Sequence, residues 1–222
     1  MRAMLWAAAA LSVTAAGLLL AMLGIALQAG GITQAQFEVV APVADYAARL
    51  QAASGVIRTT LIFDNLFVLT YCGAIALGLS ALSRPETRLA TTIATIGIIA
   101  TGLLDWAENM HFLSMLAGMA SGRDLTLDEL GWRMWASTMK WHIAYGALLA
   151  AGFVVPVRGL ISFLLVWSLR LGLPVIGVLI YTGPEDWEKA LSLARYAMML
   201  VGFVLFAEVF ASHARASGKD TT

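Results

Sequence analysis

The sequence predicts an all-α, polytopic transmembrane bundle of six membrane-spanning helices with both termini cytoplasmic. Three observations predict it. The 222 residues are 60% hydrophobic and only 13% charged, about half the charge of an ordinary soluble domain, and their mean hydropathy is +0.81. Six apolar stretches each come near the roughly 20 residues needed to cross a bilayer. Basic residues then favour one set of helix ends over the other.

The first stretch, residues 3–27, follows Arg2. It is longer than the about 7–15 residues of a signal-peptide core and no A-x-A site closes it, so it reads as a retained helix. A long link, residues 28–55, contains APVADYAARLQAAS, which suits an amphipathic helix lying at the outer membrane surface. Residues 56–82 form the second span, and SRPETR makes a tight turn into the third, residues 89–117. A second outer link, residues 118–134, carries acids and an interfacial Trp. Residues 135–155 are the fourth span, and PVRG turns the chain into the fifth, residues 160–181. Within that span Gly172 and Pro174 should kink or open the helix. Residues 194–212 form the sixth span, and residues 213–222 a polar tail in which His213 reads as solvated.

Arg2, Arg84, Arg88, Arg158, Arg215 and Lys219 fall on one side, which the positive-inside rule makes cytoplasmic. Arg49, Arg58, Arg123, Arg133, Lys189 and Arg195 fall on the other, so the bias is modest. A bacterial inner membrane fits this pattern. The chain has 14 basic and 14 acidic residues and no basic stripe, which argues against a nucleic-acid partner. Its lone Cys72 cannot form an intrachain disulfide and reads as a small hydrophobe.

Function is suggested by the charges that these apolar stretches contain. On the third helix, LLDWAENMHFL places Asp105, Glu108, Asn109 and His111 across one arc of about 160°. The second helix brings Asp64 and Asn65 in IFDNLF, and the fourth brings Lys140 and His142 in STMKWHIAYG. Asp64, His111 and His142 each lie about 10 Å below the outer surface at the helical rise of 1.5 Å per residue. Arg170 on the fifth helix sits near the midplane. Five unpaired charges would cost roughly 12–17 kcal/mol on the insertion scale, so they must pair, face the interior or line water.

Several chemistries fit such a pocket between the second, third, fourth and fifth helices. Glu108 and His111 form an E-x-x-H pair, and with Asp64 and His142 they could ligate a single zinc or iron ion. A di-iron centre would need a second such motif, and haem between His111 and His142 is disfavoured by three nearby acids. Metal-free acid–base chemistry would use Glu108, His111, Asp64, Asp105 and Lys140, with one carboxyl ionised against Lys140 or Arg170 and another holding its proton. Asn65, Asn109, Trp106, Trp141 and Arg170 would then contact substrate. The preferred reading is an intramembrane enzyme acting on a lipid, isoprenoid or quinone-like substrate. Alternatives are a proton-coupled solute transporter, with Glu208 as a second relay or an interface residue, and a subunit of a homo-oligomer or membrane complex with a structural polar cluster.

Overall fold

A computed structural model describes residues 1–38 and 41–217, with side chains for all of these except Glu185 and Glu188. The described residues are helical with no strand. Six rods result: α1 (Arg2–Gln28), α3 (Ser54–Leu82), α4 (Arg88–Ala120), α5 (Leu127–Val154), a composite of α6 (Leu160–Trp167) and α7 (Leu173–Thr182), and α8 (Glu188–Ala216). A short helix, α2 (Val43–Ala52), lies in the link between α1 and α3. Five rods are long and apolar enough to cross a membrane. α5 has the length, 28 residues, but carries Asp128, Glu129, Arg133 and Lys140.

Each rod packs on its neighbours in chain order, and α8 closes back against α1. The result is a ring of six antiparallel rods. Its outer surface is apolar: Ile62, Ile96, Leu103, Leu171 and Val201 are all more than half exposed, which is how helices face lipid tails. Close approaches hold the ring. A Cβ on Gly78 of α3 would come within 2.1 Å of the Phe210 ring on α8, so only glycine admits that ring. The Tyr196 hydroxyl of α8 donates to the Leu19 carbonyl of α1.

Several elements differ from their sequence reading. α5 begins eight residues before residue 135, because Thr126 and Glu129 form a capping box: the Thr126 hydroxyl accepts from Glu129 N, and Glu129 Oε2 accepts from Thr126 N. Such reciprocal caps satisfy donors that a helix start otherwise leaves open. α2 lies in the link that the sequence reads as an outer-surface piece. Its apolar face packs inward, with Tyr46 and Leu50 wholly buried beside Phe37, Ile57, Phe112 and Leu130. Together they form a second small core that caps one end of the ring. At the other end α8 runs on to Ala216, so His213 is buried rather than solvated, its Nδ1 against the Val209 carbonyl at 2.8 Å. Lys219 lies outside the described residues.

The Gly172–Pro174 signal appears as a π-helical turn, Ser168–Gly172, leading into α7. Proline has no N–H to donate, and a wider turn absorbs the missing bond without breaking the rod.

A polar cavity inside the helical ring

The ring encloses a cavity of about 880 Å³. Leu19 of α1, Ile75 of α3, Ile98 of α4, Leu148 of α5, Leu169 of the π turn and Phe206 of α8 supply its apolar wall. All six rods contribute, whereas the sequence placed the pocket among four. Gly31–Gln36 and Glu38 lie across the capped end. Gly31, Ala35, Gln36, Lys189 and Leu193 line the cavity and are also exposed, so its mouth is there.

Polar side chains gather toward that end. Lys140 is 8% exposed, and its Nζ donates to Glu108 Oε2 at 2.6 Å and pairs with Asp105 Oδ1 at 2.8 Å. The Tyr71 hydroxyl donates to the other Asp105 oxygen at 2.8 Å. Asp64 Oδ2 accepts from Asn109 Nδ2 at 2.7 Å, and Asn65 Oδ1 accepts from the same amide at 3.2 Å. Asp64, Tyr71, Asp105 and Lys140 line the cavity. Asn65, Asn109 and Glu108 stand behind them.

Glu108 belongs to a wider network. Its second oxygen pairs with Arg133 Nη2 at 3.0 Å, and Arg133 is 1% exposed. Arg133 Nε donates to the Phe37 carbonyl at 2.9 Å while its guanidinium covers the Phe112 ring at 3.3 Å. One charged side chain thus ties α5 to α4 and to the capping link. Buried charges require such pairing, because an isolated one has lost its hydration without replacement.

The remaining residues singled out in the sequence are placed elsewhere. His111 stacks against Trp132, with ring centroids 4.7 Å apart. His142 is exposed, its ring 4.8 Å from that of Tyr181. The quartet Glu108, His111, His142 and Asp64 is therefore not assembled, and no three His, Cys, Asp or Glu among the described residues are grouped to hold a metal ion. Equal depth proved insufficient, because the two imidazoles point to other neighbours. Arg170 does not pair with the acids. Its Nε donates to the Gly152 carbonyl in the last turn of α5 at 2.9 Å, where helix carbonyls lack partners, and it lies over Phe153. Trp106 packs against the core, whereas Trp141 lines the cavity. Glu208 pairs with Arg215 on the surface, both about half exposed.

Sequence reading missed five contributors: Arg133, Tyr71, Tyr145, Arg195 and Glu38. The capping box TLDE would have revealed Arg133, since it puts Arg133 and Lys140 seven residues apart on one helix face. Arg195 was read as interfacial, but it is 7% exposed, lines the cavity and stacks on Trp141 at 3.8 Å. Glu38 comes from the link and carries no local signal. Burial pushes its carboxyl up, but Lys140, Arg195 and Arg133, with Ser137 beside it, outweigh this and hold it below its ordinary value.

No family model, curated protein or solved structure matches this chain. Its function has to be argued from the chemistry of the cavity.

Proposed function

We propose that this integral membrane protein binds a lipophilic molecule in the cavity and acts on it by acid–base chemistry. The single observation that supports this is a two-ended cavity inside a lipid-facing ring. Its volume falls in the roughly 300–1,000 Å³ range of small-molecule sites, its wall is apolar, and its charged groups lie at one end. In this reading Asp105, paired to Lys140, is the ionised carboxylate. Asp64 has no described cation within ion-pairing distance and is the carboxyl able to deliver a proton, while the Tyr71 hydroxyl, which donates to Asp105, orients that carboxylate. The Glu108–Arg133–Lys140 network positions Lys140 and does not touch substrate. Six spans with both termini cytoplasmic would put the mouth at the outer face of a bacterial inner membrane.

Transport receives less support. Glu208 is occupied by Arg215 on the surface and does not line the cavity. The test is to purify the protein in mild detergent, extract what it holds and identify it by mass spectrometry. The wild type should carry a lipophile that Ile98→Trp, which fills the apolar wall, excludes. Asp105→Asn should retain the lipophile but fail to convert it. Equal conversion by Asp105→Asn would overturn the acid–base assignment, and an empty wild-type cavity would overturn the binding reading.

A further inference from the structure

The charges around the cavity are unevenly matched. Lys140 and Arg133 are matched by Asp105 and Glu108. Arg195 is buried on α8 and lines the cavity, yet no described carboxylate lies within ion-pairing distance of it. Its guanidinium lies over the Trp141 ring, a placement that leaves its N–H edge free for a planar acceptor. A second observation lies beside it. The Tyr145 hydroxyl, which faces the Arg195 guanidinium, and the Trp141 indole N–H are both buried and donate to no acceptor, although their residues line the same cavity. Tyr145 is 8% exposed, and the two rings stack 6.0 Å apart. Native interiors rarely leave such donors unsatisfied.

Three donors, one of them charged, thus adjoin one part of the cavity without an acceptor, and Lys189 adds a further positive charge at the mouth. We propose that the occupant is an anionic amphiphile, with its carboxylate or phosphate head held by Arg195, Tyr145 and Trp141 and its apolar body among Ile98, Leu148 and Phe206. This deepens the reading of the cavity as a lipophile site and rests on it. Glu38 is the negative group that faces Arg195, Lys140 and Arg133 from beyond ion-pairing distance, so an arriving anion competes with it for the same cations.

The test uses the full chain in detergent, titrated with a dansyl-labelled fatty acid and with its matching primary amide. The wild type should bind the acid about tenfold or more tightly than the amide, the scale of a hydrogen bond to a charged group. Arg195→Gln should abolish that preference and leave amide binding intact. Displacement by unlabelled fatty acid or by lysophosphatidic acid then distinguishes a carboxylate from a phosphate head, and either result supports an anionic occupant. If Arg195→Gln does not fold, Tyr145→Phe carries the test, with about a threefold loss for the acid and none for the amide expected. Equal binding of acid and amide by the wild type, or a preference that survives both substitutions, would overturn the anionic head while leaving the lipophile site standing. Binding of neither probe by folded wild type would remove both.

Discussion

Glu108 of α4 and Arg133 of α5 meet at 3.0 Å with side chains 4% and 1% exposed. Neither charge reaches water, and Glu108 is the one described carboxylate paired with Arg133, whereas Glu108 also holds Lys140. Glu108→Ala strands Arg133 and should therefore destabilise the protein by about 3–5 kcal/mol, the usual cost of stranding one member of a buried pair. Thermal unfolding in mild detergent measures it. A shift equivalent to less than about 1 kcal/mol, the scale of an exposed pair, would show that the network does not hold the two helices.

Glu38 gives the pH dependence a sign. Its folded carboxyl lies below the ordinary value of 4.5, so the unfolded chain binds its proton more readily. The stability from ionised Glu38 is then fully present above about pH 4.5 and is lost as pH falls through the lower folded value. Unfolding measured across acid pH should show this decline in the wild type, and Glu38→Gln should flatten it. Glu38→Gln should also tighten binding of the anionic probe, since the competing carboxylate is gone.

Asp105 and Tyr71 share a 2.8 Å hydrogen bond at the cavity wall. Tyr71→Phe keeps the ring and removes only the donor. With the extracted lipophile as substrate, Asp105→Asn should slow turnover by about 10²–10⁴-fold, the range for a lost acid–base group, with Tyr71→Phe intermediate. Unchanged turnover in both would place the chemistry outside this pair.

His111 and His142 stack on Trp132 and Tyr181 rather than on the acids. His142→Ala and His111→Ala should leave lipophile binding within about twofold of wild type, since neither residue lines the cavity. A large loss in either would restore the histidines to the site.

Gly78 admits the Phe210 ring where a Cβ would stand 2.1 Å away. Gly78→Ala should cost about 1–3 kcal/mol by overpacking, and Gly78→Ala with Phe210→Leu should recover part of it. No recovery in a double-mutant cycle would show that the two residues are not coupled.

Much of the architecture was legible in the sequence. Apolar stretches of spanning length marked the helices, five of which are long and apolar enough to cross a membrane, and the Pro-containing turns gave tight connections, because backbone groups in lipid can satisfy themselves only within a helix. The polar arc of LLDWAENMHFL, the aspartate of IFDNLF and the lysine of STMKWH identified Asp105, Glu108, Asn109, Asp64 and Lys140, since a charge inside an apolar run needs a partner.

Partner choice was not legible. A residue's depth along its helix follows from the chain, but the neighbour it faces depends on how each rod rotates and which rods touch. Asp105 and Glu108 therefore found Lys140, while His111 and His142 at similar depth turned to aromatic rings, and midplane Arg170 took a helix-end carbonyl. The closure of α8 on α1, which brings Arg195 into the cavity, and the return of the link that places Glu38 across its end join residues 177 and 96 positions apart at their recorded hydrogen bonds. The sequence by itself determined a membrane helix bundle and that charges such as Glu108 and Lys140 lie inside it. Tertiary packing decided which charges are matched, which are left over, and that they surround a cavity.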